Sequence, residues 1–285
     1  MKTRLFRAVL AAVAVAVLAL GVPGPSEAQQ QQQQGASSTW EQIKQTGKVR
    51  MGVFDYPPYY VRDRATGEWS GALVEMGKDI ARELDVQFEP VEVGGWGEVV
   101  LALQSNKIDF HPGLQATPKR AAAIDFAGPI YWIEWVTVNN PNFKGTTWED
   151  YNKPDVKVAV MTGSADEVIL RKMAPQATRV EMKELAQIIL AVSSGRADAF
   201  TTTVLSSMIA KSKNPGLGDF VNPQPRVALP GYIGLRLEDD ARWQKFLDRW
   251  AEWNILLGHN EQRMKDSLGT AGITEIPSTV SFSPN

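Results

Sequence analysis

The chain is 285 residues long and carries 30 lysines and arginines against 32 aspartates and glutamates, with no cysteine and two histidines, His111 and His259. That balance lacks the basic stripe that nucleic acid demands. The missing cysteine excludes disulfides, thiolate metal sites, a cysteine nucleophile and an acylated lipobox, and two histidines make a poor metal centre, so no metal or other cofactor is implied.

Lys2, Arg4 and Arg7 precede an apolar run from 8 to 22 and the small-x-small site Ser26-Glu27-Ala28. This order predicts a secretory signal peptide over 1–28, too short in its apolar run to span a membrane. Its removal leaves 257 of the 285 residues, with 27 basic and 31 acidic side chains, a size that buries a core without staples. A glutamine tract and Gly-Ala-Ser-Ser over 29–38 read as a low-complexity tether.

A short helix is expected over 40–46, closed by Gly47, then a strand over 49–54 and a stiff loop, Asp55-Tyr56-Pro57-Pro58-Tyr59-Tyr60. Its tyrosines form either an aromatic wall or packing against the hairpin at 67–71. Leu73, Met76, Ile80 and Leu84 keep helical spacing, 86–91 alternates as a strand, 96–105 repeats the helical pattern, and a third strand is expected to begin at Lys107. Strand, helix, strand, helix, strand predicts a parallel α/β sheet, whose ligands bind beyond the carboxyl ends of the strands.

There lies Gln115-Ala116-Thr117-Pro118-Lys119-Arg120. Thr117 reads as an N-cap with proline at the first helical position, so Arg120 falls in a first turn, where a cation opposes the helix dipole. It is either an exposed arginine or, with free helix-terminal amides beside it, half of a carboxylate site. An extended run over 132–139 leads to Asn140-Pro141-Asn142, a domain crossing. A second α/β unit follows, with strands at 156–161, 178–182 and 197–202 and helices at 165–173 and 183–193. Its turn Thr162-Gly163-Ser164 is either an ordinary N-cap or a second anion grip. Beyond the prolines 223, 225 and 230 come a strand at 231–237 and two helices, in which Trp243, Phe246, Leu247, Trp250 and Trp253 read as a core stripe. The tail over 270–285 reads as poorly ordered.

From about 39 to 268 these features together resemble the extracellular solute-binding proteins of family 3, the periplasmic polar amino acid receptors of ABC importers. The resemblance rests on the strand and loop 52–59, the helix after Gly71, Trp96 with Ala102-Leu103, Lys107-Ile108-Asp109, Thr117-x-x-Arg120 with Asp125-Phe126, and Pro129-x-Tyr131. In the second unit it rests on Gly163-Ser164 and Gly195-Arg196-Ala197-Asp198-Ala199. It implies a two-lobe α/β fold of the type II periplasmic-binding class, each lobe a mainly parallel sheet flanked by helices, with two hinge crossings. Lobe 1 would comprise 39–138 and a return segment 229–269, and lobe 2 would comprise 139–228. It implies a monomer that captures a small carboxylate-bearing solute, an amino acid or amino-acid-like compound, and hands it to a membrane permease without chemistry. By the same resemblance Arg120 grips the carboxylate, Tyr56 and Tyr59 flank the ligand, and Trp96 forms a wall. Gly113, Gln115 and Thr117 supply hydrogen bonds, and Ser164 a second-lobe contact.

Two departures stand out. Where such receptors place an aspartate for the α-ammonium, this chain has Thr203; either another acid serves, with Asp55 and Glu134 as candidates, or the ligand lacks the amine. His111 faces the ligand or fills a strand end. Cyclohexadienyl dehydratases share the fold and need an acid to protonate a departing hydroxyl; as aligned, that position holds Ser206. A ligand-sensing receptor partner differs from an importer component only in whom it meets.

Overall fold

The computed structural model describes residues 37–276. The expected signal peptide, the tether up to 36 and the tail from 277 onward lie outside them. Ser38, the last tether position, already belongs to the fold. Its hydroxyl caps helix α1 (Thr39–Thr46) by accepting from the Glu41 amide and donates to Asp240 at 2.6 Å.

Strand β1 (Lys48–Val53) pairs in parallel with β4 (Gln87–Glu92), and helix α2 (Ala72–Glu83) connects them after the small hairpin β2 (Val61–Arg62) and β3 (Trp69–Ser70). Leu73, Met76 and Ile80, spaced one helical turn apart, are the buried face of α2, which packs on β1 and β4. Helix α3 (Trp96–Gln104) follows. The third strand starts later than the alternation at Lys107 suggests. Asp109 is spent on the Arg50 main-chain amide and guanidinium, and only Phe110 bridges to Met51 before strand β5 (His111–Leu114) begins.

After helix α4 (Pro118–Ala121) the chain enters β6 (Asp125–Asn139), a 15-residue strand. At about 3.4 Å per residue such a strand spans roughly 50 Å, which lets its two ends pair with different strands of one sheet. Its first residues pair with the end of β11 (Val227–Leu235), itself antiparallel to β5; its last residues pair antiparallel with β9 (Ala199–Thr203). Strand β7 (Lys157–Met161) lies parallel to β9 and to β8 (Thr178–Met182), so the order is β5-β11-β6-β9-β7-β8, with the short β10 (Phe220–Val221) paired antiparallel to β6 beside that row. The two long strands β6 and β11 are the crossings. The run expected at 132–139 and the strand expected at 231–237 are the later parts of these longer elements.

Helices α6 (Ala165–Met173) and α7 (Leu185–Ser193) pack on β7, and α8 (Val204–Lys213) packs on β9 and β6. The short α5 (Trp148–Tyr151) and α8 are absent from the sequence reading. Thr203 closes β9 and caps α8 at once, its hydroxyl accepting from the Ser206 amide, so strand and helix abut with no turn residues between them. Helix α9 (Arg242–Leu256) packs on β6, and α10 (His259–Thr270) packs on α2. The aromatic stripe needs one correction: Trp243, Leu247 and Trp250 are buried, but Trp253 is 64% exposed. At 100° per residue it sits about 80° off the stripe's centre. Among the described residues no helix is long and apolar enough to cross a membrane.

Candidate functional site

The loop after β1 folds back on itself. Tyr56 and Tyr60 exchange main-chain hydrogen bonds of 2.8 and 3.1 Å, and the Pro58 and Tyr59 carbonyls receive the first amides of α2. Gly71, at φ 109°, is required here, because a Cβ would come within 2.6 Å of the Tyr59 carbonyl oxygen. The loop thereby splits its tyrosines. Tyr60 turns inward to His111 and the Pro112 carbonyl, whereas Tyr56 and Tyr59 stack 5.8 Å apart along a cavity between the two sheets.

That cavity is also lined by Trp96, Gly113, Gln115, Tyr131, Trp135, Ser164, Ala165, Asp166 and Thr203. Its free space is about 20 Å³ for the centres of water-sized spheres, room for about one water and not for an amino acid. The lobes are drawn together across it. The Tyr59 hydroxyl donates to Thr203 Oγ1 at 3.0 Å, Tyr56 Oη lies 2.9 Å from Thr202 Oγ1, and Ser206 Oγ donates to the Pro57 carbonyl at 3.0 Å. A ligand therefore requires these contacts to part or shift.

Arg120 stands at one end of this closure. Thr117 caps α4 as the sequence predicts, accepting from the Arg120 amide, and does not line the cavity. The Arg120 side chain is buried; it donates from Nη1 to the Gln115 carbonyl at 3.1 Å and from Nη2 to the Gly163 carbonyl of the other lobe at 2.9 Å. Burial pulls its pKa down to about 10, with Asp166 opposing the fall, so it stays cationic at neutral pH. Gly163 lies directly against Gly97.

Asp166, in the first turn of α6, is the acid that the sequence reading passes over. An acid at that place is ordinarily explained by the helix dipole, yet its position two residues past Ser164 carries it into the cavity. It is 4% exposed and accepts from Trp135 Nε1 at 2.6 Å. Burial pushes its carboxyl up to about 7 against the opposing pull of Trp135, Ser164 and Arg120. Tyr131 and Trp135, also missed, fall on one face of β6 by its two-residue period; Glu134 therefore points to the other face.

Neither acid suggested to replace Thr203 is in the cavity. Glu134 is held by Arg226 at 2.9 Å and Asn222 at 2.8 Å in a separate hollow, and Asp55 is exposed in a groove with Arg62 and Glu92. His111 is settled as strand-end filling: Nδ1 donates to the Gly52 carbonyl at 2.9 Å, its ring stacks on Phe54, and burial lowers its pKa to about 3. At the Ser164 turn the Gly163 amide donates to Glu167 and the Ser164 hydroxyl accepts from the Glu167 amide. That turn meets the cavity with two carboxylates, Asp166 and Glu167, beside it. Among the described residues no cluster of three metal-ligating side chains occurs.

The sequence profile of the bacterial extracellular solute-binding proteins, family 3, matches residues 49–222. A glutamine-binding protein of Geobacillus stearothermophilus is 25% identical over 171 residues, covering 58% of this chain and 64% of that protein. The ABC transporter glutamine-binding protein GlnH of Bacillus subtilis strain 168 is 26% identical over 181 residues, covering 60% and 65%. The chain thus spans just under two thirds of the length of these relatives. A solved ancestral amino acid-binding protein, a precursor of cyclohexadienyl dehydratase, superposes with a TM-score of 0.72 at 27% identity, covering 81% of this chain and 99% of that one. These likenesses and the topology above describe one fold, the two-lobe type II arrangement.

Proposed function

The chain belongs to the bacterial extracellular solute-binding proteins, family 3, and from that premise we propose that it is the periplasmic substrate-binding component of an ABC importer. It captures a small carboxylate-bearing solute, an amino acid or amino-acid-like compound, between two closing lobes and presents the closed form to a membrane permease. The lobes are those drawn at 39–138 with 229–269 and at 139–228. The chain is exported by its leader without a lipid anchor and acts as a monomer. Tyr56, Tyr59, Trp96, Gly113, Gln115, Ser164 and Thr203 contact the ligand, Arg120 takes its carboxylate, and Thr117 holds the turn that carries Arg120.

The observation that carries this reading is Arg120 itself. A buried guanidinium that joins the first-lobe carbonyl of Gln115 to the second-lobe carbonyl of Gly163 sits where a carboxylate between the lobes would exchange neutral carbonyls for a charged partner. One observation favours a second reading, a cyclohexadienyl or arogenate dehydratase-like lyase. A carboxyl held near neutrality in the cavity, Asp166, is a proton donor of the kind that reaction needs. Ser206, at the position where the acid was sought, is instead bonded to the Pro57 carbonyl.

The test is a thermal-shift screen of the exported chain against amino acids, their deaminated counterparts and prephenate, with prephenate loss followed in parallel. A ligand at 100 times its dissociation constant adds about 2.7 kcal/mol. Stabilisation by a carboxylate ligand in the wild type but not in Arg120→Ala supports the binding reading, and consumption of prephenate replaces it with the lyase.

A further inference from the structure

Resting on the binding reading above, we infer that the ligand is a zwitterion with an uncharged side chain, whose cation is held by Asp166. Asp166 is then the residue that sets specificity.

The inference follows from counting charges. Among the described residues that line the cavity, Asp166 is the one charged side chain; Arg120 reaches its edge through Gln115 and Gly163 and lies in the same field. One guanidinium and one carboxylate match one carboxylate and one ammonium, and nothing remains for a further charge. The next acid along α6, Glu167, is already shared between Arg171 and the Gly163 amide. A basic side chain would be buried without an acid and an acidic one without a base, each an uncompensated charge in a closed site.

Of the other polar groups in the cavity, Thr203, Tyr56, Ser164 and Gln115 are neutral, and none can neutralise an ammonium as a carboxylate does. Thr203 Oγ1 accepts from Tyr59 and from the Ser206 amide, and Tyr56 is engaged with Thr202. Asp166 has one oxygen on Trp135 Nε1 at 2.6 Å and is also bonded by Ser164, and a ligand cation beside it offsets the burial of its ionised form. The same cavity is lined by the aromatic side chains of Tyr56, Trp96, Tyr131 and Trp135, a residue type that favours a cation over an anion and accepts an uncharged side chain.

The experiment titrates the full exported chain calorimetrically with L-glutamine, L-glutamate, the 2-oxo acid of glutamine and, as cationic probes, L-arginine beside L-lysine, which has the same number of non-hydrogen atoms as glutamine. The expected order is glutamine ahead of glutamate, arginine and lysine by about 100-fold or more. Asp166→Asn is expected to lose glutamine by a similar factor while holding or gaining the 2-oxo acid. A merely structural role would weaken all probes together. Asp166→Ser gives the same contrast should the asparagine variant not fold.

Arginine, lysine or glutamate binding as tightly as glutamine, or glutamine binding unchanged in Asp166→Asn, overturns the inference and leaves the solute-binding reading intact provided Arg120→Ala abolishes that binding. Failure of all the probes to bind the wild type overturns the inference and the amino-acid reading together.

Discussion

Substituting Gly163 by alanine should hold the lobes apart, and the geometry sets the size of the effect. A Cβ built on Gly163 lies 2.8 Å from Gly97 Cα and 3.1 Å from Gly97 N. Both atoms are main chain, so no side chain can swing away. Reaching ordinary van der Waals contact requires the second-lobe turn to retreat by roughly half an ångström or more. The 2.9 Å bond from Arg120 to the Gly163 carbonyl then stretches toward the limit of a hydrogen bond. Driving those main-chain atoms together on closure costs about 1–3 kcal/mol, as overpacking does, so ligand affinity should fall roughly fivefold to a hundredfold where closure is coupled to capture. Because Gly163 has φ +73°, alanine also carries about 1–2 kcal/mol of left-handed strain in open and closed forms alike.

Gly97→Ala is the control: its Cβ meets nothing nearer than the Thr162 carbonyl oxygen at 3.9 Å, and it lies in the first turn of α3, where alanine is favoured by about 0.5–1 kcal/mol. Small-angle scattering without ligand and calorimetry with the best-binding amino acid would read the two variants. The expected pair is a more open Gly163→Ala protein with weakened binding, beside a Gly97→Ala protein that matches the wild type. Equal damage from both variants, or none from Gly163→Ala, would refute the account of closure.

Acid stability should carry two opposed slopes. His111 has a native pKa of about 3 against an ordinary 6.5, so the unfolded chain takes up a proton that the native chain refuses and stability falls as pH drops through that window. Asp166 has a native pKa of about 7 against 3.8; there the native form holds the extra proton, so its contribution is gained as pH falls from about 7 and lost as pH rises. Asp166→Asn removes the second slope, and urea titrations across about pH 4 to 8 should show it losing stability more steeply on acidification than the wild type; parallel curves contradict the assignment. In α9, Trp243→Ala should cost about 3–5 kcal/mol, because Trp243 is 1% exposed and donates to the Asp109 carbonyl. Trp253→Ala should stay within about 0.5 kcal/mol, and the same titrations separate the two.

Much of the site was readable because its signals are local. The N-cap at Thr117 with its following proline, the proline-stiffened tyrosine loop and the small-residue turn at Gly163-Ser164 are each written in a few adjacent residues, and the structure gathers Tyr56, Tyr59, Trp96, Gly113, Gln115, Ser164 and Thr203 around one cavity. What stayed hidden depends on direction. Asp55 and Glu134 are as acidic as Asp166, but β6 turns Glu134 away from Trp135 and the loop leaves Asp55 in solvent. Trp253 keeps helical spacing in the sequence, yet the edge of the core stops short of it.

Hydropathy period, caps and turn residues along the chain were enough to determine two α/β units, most of their strand and helix order and the loops from which a site would be built, since each of these responds to neighbours within about one helical turn or one hairpin. Only the tertiary structure decided that β6 pairs with β11 at one end and with β9 at the other, that Asp166 is the buried carboxyl in the cavity, and that Gly163 meets Gly97. Those facts join residues tens of positions apart, and they are set by packing and by the burial of charge, which no local pattern records.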